Sequence, residues 1–128
     1  MEANAMAALI DRAMDYSYDG EQQHFRHPLY PPGVTYTKGV RYVAEHAGGG
    51  AWWLLDKIGT MQAHPQIRTE QITQLWSLWV TEAHTWALVC QDGDYHLMWA
   101  EGGSYTDFPE GHITFFVQHG CIMLTSEY

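Results

Sequence analysis

The sequence predicts an α+β domain in which N-terminal helices pack on one face of a C-terminal antiparallel β-meander of four or five strands. Three observations carry this. Apolar residues recur at helical spacing as far as Met61. From Trp76 onward they alternate, or gather in short runs rich in β-branched and aromatic residues. Two turn signals divide those runs into hairpins. A chain of 128 residues is the usual length of one domain, and no linker, repeat or low-complexity tract divides 1–128. With 46% of its residues hydrophobic, it can fill one core without staples.

The first helix is expected over residues 3–15. Met6, Leu9, Ile10, Ala13 and Met14 fall at i, i+3, i+4, i+7 and i+8, which leaves Asp11, Arg12 and Asp15 on the opposite face. Residues 16–23 are polar and acidic, with Gly20 as a breaker. Residues 24–33 hold Pro28, Pro31 and Pro32 and read as an extended connection. Thr37 then caps a second helix with the stripe Val40, Val43, Ala44 and Ala47. Gly48, Gly49 and Gly50 end it, because glycine takes positive φ at little cost. A third helix runs from Ala51 through Leu54, Leu55, Ile58 and Met61 until His64-Pro65 stops it, making an αα-hairpin with the second.

The next segment fits two periods. Ile72, Leu75, Trp76 and Trp79 suit a helix behind a Thr69 cap, whereas Trp76, Leu78 and Val80 suit a strand. Because everything downstream looks like β, we expect a short helical turn at 69–74 followed by a strand. Residues 85–91 and 95–101 flank Asp92-Gly93-Asp94, a hairpin signal; 113–118 and 121–125 flank a second tight turn at His119-Gly120.

Charge bounds the partners. Fifteen Asp and Glu against six Lys and Arg give a formal net charge of −9. Duplex binders neutralise phosphates with clustered Lys and Arg. Here Arg12, Arg26, Lys38, Arg41, Lys57 and Arg68 stand singly. Direct nucleic-acid binding and anionic membranes are therefore disfavoured, and a basic protein or nucleoprotein partner is favoured. Eight histidines would cancel much of the charge in mild acid and weaken such binding. No apolar run approaches the roughly 20 residues that span a bilayer. Residues 1–13 lack the pattern of a signal peptide. Cys90 and Cys121 are too few for a disulfide framework and read as reduced core residues. A cytoplasmic location is expected.

Chemical motifs are sparse. His24 and His27 have an HxxH spacing, but Pro28 opposes helix there and no third zinc ligand is evident. The plainer role for His27 is a hydrogen bond to the backbone of the proline loop. Cys121 follows His119-Gly120, yet it opens an apolar strand in an acidic chain, which disfavours a reactive thiolate. Neither GxSxG nor a phosphate-gripping glycine loop is present. Six tryptophans exceed what so small a core holds comfortably, so some belong at edges, where an aromatic beside carboxylates anchors interfaces.

Several strings carry a resemblance. They are Phe25-Arg26-His27-Pro28-Leu29, Tyr36 to Glu45, Trp53-Leu54-Leu55-Asp56, Thr106-Asp107-Phe108-Pro109 and Ser126-Glu127-Tyr128. From about residue 24 to 128 the chain resembles a family of small uncharacterised bacterial proteins common on plasmids, phages and other mobile elements. The triple glycine is longer than that family's inter-helix turn, and residues 1–23 lie outside the similar region. The resemblance implies a mobile-element setting and transfers no catalytic role.

The resulting expectation is a non-enzymatic, acidic protein-binding module without cofactor or metal. Its partner-binding residues are Asp15, Tyr16, Tyr18, Asp19 and Glu21. It extends to an inhibitor of a host defence system such as a CRISPR effector (an anti-CRISPR), presenting carboxylates where phosphates would lie. Homodimerisation through an apolar sheet face is a second way to build the binding surface. The competing expectations are a small metal-dependent or hydrolytic enzyme using His24, His27 and carboxylates, and a plasmid maintenance factor.

Overall fold

The computed structural model describes residues 2–17, 24–67 and 73–125. Helix α1 (Glu2–Ser17) leads into strands β1 (His24–Arg26) and β2 (Thr35–Thr37), then helices α2 (Lys38–His46) and α3 (Trp52–Met61). Five strands follow: β3 (Thr73–Val80), β4 (Trp86–Asp92), β5 (Leu97–Gly103), β6 (Gly111–Gln118) and β7 (Cys121–Leu124).

The helices obey their local signals. In α1, Met6, Leu9 and Ala13 are buried while Asp11, Arg12 and Asp15 are exposed. Thr37 caps α2, its hydroxyl accepting the Val40 N–H at 3.3 Å. Gly48 at φ +55° and Gly50 at φ +117° turn the chain, and the Ala51 N–H returns to the Ala44 carbonyl at 2.7 Å. This closes the αα-hairpin.

The sheet is larger than a meander of four or five strands. Seven strands lie in the order β1-β2-β7-β6-β3-β4-β5, and the β2–β7 pair is parallel. Two physical causes account for the difference. Strands β1 and β2 have three residues each, too few to show a period, and are held by pairing rather than by propensity. Strand β6 also passes over β4 and β5 to pair with β3 along its full length, from Thr73↔Gln118 to Val80↔Gly111. Trp76 and Leu78 in β3 are fully buried, and β3 lies inside the layer with a neighbour on each side. The strand already begins at Thr73, which removes the helical turn at 73–74; Thr69 and residues 69–72 lie outside the described residues.

Both hairpin turns form where expected. Gly93, Asp94 and Tyr95 make a three-residue loop with Tyr95 at φ +65°, and the Asp92 carboxylate accepts the Asp94 and His96 N–H groups at 2.8 and 2.9 Å. His119 and Gly120, at φ +50° and +79°, supply the two left-handed residues of the β6–β7 turn.

Register assigns the two sheet faces. Trp76, Leu78, Leu88, Cys90, Ile113, Phe115, Val117, Ile122 and Leu124 point to one side, where they share a core with the apolar stripes of the three helices. One polar group is built into this core. Gln74 exchanges two 2.9 Å hydrogen bonds with Gln62, and its Oε1 also accepts the Trp76 indole N–H at 2.9 Å. The buried amide is thereby satisfied.

Candidate functional site

Residues 104–109, between β5 and β6, are pinned from two sides. On one side stands His84, at φ +63° in the β3–β4 turn. Its carbonyl accepts the Thr106 N–H at 2.9 Å, and its Nδ1 lies 3.1 Å from the Thr106 carbonyl oxygen. On the other side the Gly49 N–H donates to Asp107 Oδ2 at 2.8 Å. A Cβ on Gly48 would overlap the Asp107 carbonyl oxygen, so the triple glycine leaves room for this approach. Inside the loop, Thr106 Oγ1 accepts the Phe108 N–H at 3.1 Å while the Phe108 ring is fully buried.

The pinned loop forms one wall of a recess of about 390 Å³ lined by Trp53, Trp86, Tyr105, Thr106 and Asp107. Trp53 comes from the first turn of α3 and Trp86 from the start of β4. Their ring centroids are 5.1 Å apart with planes inclined at 51°. Trp86 pairs across the ladder with Gly103, where a Cβ would overlap the indole. The missing side chain is what lets the Trp86 ring lie over β5. Tyr105 is 69% exposed. Asp107 and Tyr105 are the ionisable groups of this lining, and the His84 imidazole lies beside it, its ring centroid 6.1 Å from that of Tyr105.

A second surface lies on the other side of the sheet. Its rows, read across β6, β3, β4 and β5, are His112-Trp79-Ala87-Gly102, Thr114-Ser77-Val89-Ala100 and Phe116-Leu75-Gln91-Leu97. None of these residues carries a formal charge. Trp79 and Leu97 are 51% and 65% exposed, and α1 borders the face at β6, where Met6, Ile10 and Met14 line recesses with His112 and Thr114. The Trp79 and His112 rings stack at 3.7 Å, 7° from parallel, which covers one side of an otherwise exposed imidazole. That desolvation lowers the His112 pKa below its ordinary 6.5.

Compared with known proteins, residues 14–128 match the family of unknown function DUF6876. The chain belongs to this family. The DUF6876 match takes in every wall of the recess, the whole sheet and the acidic stretch after Met14. No curated protein and no solved structure matches the chain.

The residues singled out from sequence are dispersed in this DUF6876 fold. Asp15 is exposed and Tyr16 lies in the last turn of α1; Tyr18, Asp19 and Glu21 lie outside the described residues. His24 is in edge strand β1. His27 accepts the Leu29 N–H through Nδ1 at 3.1 Å and stacks on Tyr30 at 4.6 Å, the backbone role expected of it. Neither joins a cluster of metal-ligating groups among the described residues. The one such cluster there, Asp92, Asp94 and His96, has its Asp92 carboxylate already engaged by the hairpin turn. Cys90 and Cys121 are buried and form no disulfide, and burial pushes the Cys90 thiol up to about 12. No described helix is long and apolar enough to cross a membrane.

The recess was not foreseen. Its walls come from a helix, a strand and a loop, and no spacing in the sequence links them. The signals that could have found it were the adjacent Trp52-Trp53 pair and the Thr106-Asp107-Phe108-Pro109 string.

Proposed function

We propose that the protein is a non-enzymatic protein-binding module that pairs with a second copy through its open sheet face. Its acidic surfaces are then turned toward a basic protein or nucleoprotein. The observation that carries this reading is an uncharged, largely apolar face on a chain of net charge −9. Two such chains repel one another, least so where neither presents a carboxylate. A basic partner would find nothing to pair with on this face, whereas a second copy finds apolar area. The relief suits a two-fold axis: bulky Trp79, Leu75 and Phe116 on β3 and β6 stand beside a trough of Ala87, Ala100 and Gly102 on β4 and β5. At roughly 4.8 Å per strand and 3.3 Å per residue, these rows measure on the order of 300 Å² in plan.

The narrower reading is an inhibitor from a mobile element that occupies the nucleic-acid channel of a host-defence complex such as a CRISPR effector. The excess of carboxylates and the scattering of the cations support it. Asp15, Tyr16, Tyr18, Asp19 and Glu21 remain the proposed contacts.

Light scattering coupled to size exclusion tests the dimer: wild type elutes at twice the monomer mass, and Trp79→Glu with Leu97→Glu elutes as a folded monomer. A wild-type monomer at submillimolar concentration overturns it. Affinity capture from bacterial lysate tests the basic partner. A nucleoprotein held at low salt and released at high salt is expected, and replacing Asp15, Asp19 and Glu21 with Lys abolishes its capture.

A further inference from the structure

We propose that the recess walled by Trp53, Trp86, Tyr105 and Asp107 binds an organic cation with an alkylated ammonium head. The site lies on the helix side of the sheet, away from the open face, so it stands whether or not the chain pairs with itself.

Four observations converge on that chemistry. First, two indole rings inclined at 51° with centroids 5.1 Å apart form a corner, and Tyr105 adds a largely exposed third ring. Ring faces attract cations through the quadrupole, indole most strongly, and a quaternary ammonium sheds its water more readily than a metal ion does. Second, a carboxylate shares the lining. Asp107 uses Oδ2 to accept the Gly49 N–H, and Oδ1 has no hydrogen bond among the described residues. Third, the cation of the chain nearest in sequence to this wall is already engaged. Lys57, one turn beyond Trp53 in α3, lies 3.3 Å from Glu101 Oε1 and so is neutralised by its own partner. Fourth, the walls are set before any ligand arrives, because the loop is bonded to His84 and to the triple-glycine turn. Preorganisation of this kind lowers the cost of binding.

Other ligand classes fit less well. A hard metal ion wants several oxygen ligands, and the lining has one carboxylate among aromatic rings. An uncharged apolar guest would make no use of Asp107. A sugar needs a fan of polar partners, but three of the five lining side chains are aromatic and Thr106 Oγ1 already accepts the Phe108 N–H. An anion is opposed by Asp107 and by the net charge of −9, which instead concentrates cations at the surface. The recess, about 390 Å³ and open to solvent, has room for a trimethylammonium head with its chain leading outward.

The test is a titration of the full-length protein followed by ¹H–¹⁵N spectra. Choline is the probe, 3,3-dimethylbutan-1-ol its uncharged isostere, and sodium chloride the ionic-strength control. Indole signals are assigned with Trp53→Phe and Trp86→Phe. Choline should move the Trp53 and Trp86 indole N–H signals and the Asp107 amide, with the isostere binding roughly tenfold more weakly. Asp107→Asn, at an exposed position, should weaken choline by about threefold to tenfold, and Tyr105→Ala should weaken it while leaving the remaining spectrum in place. Equal binding of the isostere overturns the proposal, as do shifts confined to other residues or no shift at all. Peptides carrying trimethyllysine or lysine then separate a protein side chain from a free small cation. Tighter binding of the trimethyllysine peptide than of choline identifies a side-chain ligand, and equal binding identifies the free cation. Trp79→Glu, designed to break the dimer, should bind choline normally, so failure of one proposal leaves the other standing.

Discussion

The amide of Gly49 and the carboxylate of Asp107 meet at 2.8 Å, joining the turn between two helices to the loop between two strands. Asp107→Ala removes this exposed charge-assisted bond and should cost about 1 kcal/mol. Gly48→Ala places a Cβ against the Asp107 carbonyl oxygen at φ +55°, where alanine is also strained, and should cost about 1–3 kcal/mol. Urea denaturation of both variants checks the order. A Gly48→Ala protein as stable as wild type would mean that the loop is free to withdraw.

Gly59 sits in α3 under the ring of Tyr30, whose hydroxyl donates to Asp56 at 2.7 Å. Alanine in a helix interior ordinarily gains up to about 1 kcal/mol over glycine. Here the new Cβ would lie 2.8 Å from atoms of a buried, hydrogen-bonded ring. Gly59→Ala should therefore lose about 1–3 kcal/mol net. A raised melting temperature would show that Tyr30 yields.

Gln74→Leu should cost about 1–3 kcal/mol despite adding an apolar side chain to the core. It strands the Trp76 indole N–H and leaves Gln62 without its amide partner. Trp76→Phe in the same background removes the stranded donor. A double-mutant cycle should show that the two changes are coupled rather than additive.

Stability should fall in mild acid, in part through His112. Its pKa in the folded protein is lowered, so the unfolded chain binds the proton more tightly. The contribution of this group is complete above its ordinary 6.5 and is lost as pH drops through the lowered folded value. The ring stacks on Trp79 and has the Thr114 hydroxyl 3.0 Å from Nε2, and Met6, Ile10 and the carboxylate Glu110 line the recesses beside it. Denaturation midpoints from neutral pH to pH 5 should fall less steeply for His112→Gln than for wild type. Parallel slopes would remove His112 from the account.

Both thiols should be silent to Ellman's reagent in the native state, because Cys90 and Cys121 are buried. Two thiols per chain should react after unfolding in denaturant. Fast reaction of the native protein would mean that β4 or the β6–β7 turn opens locally.

Much of the fold was legible because its signals are local. The Met6-Leu9-Ala13 stripe, the Thr37 cap, the Gly48–Gly50 stop and the turns at Asp92-Gly93 and His119-Gly120 need only a few neighbours to be read. What escaped was decided at long range. Nothing near Thr35 announces that it pairs with Cys121, nor anything near Thr73 that it pairs with Gln118. The recess escaped for the same reason, since Trp53, Trp86 and Asp107 meet only once three separated elements are placed. Excess tryptophan was readable as surplus to the core; which rings would meet was not.

The parallel pair β2–β7 sets the order in which a nascent chain can finish folding. Strands β1 and β2 and all three helices leave the ribosome well before Cys121 and Ile122, which Thr35 and Tyr36 need as neighbours. Until then the helices can nucleate, but the layer they cover has an open seam. Pairings so distant in sequence close slowly and leave unpaired strand edges exposed in the meantime. A chain truncated before β7 would thus lose more than its final strand: the short β1–β2 ribbon would be cut off from the rest of the sheet.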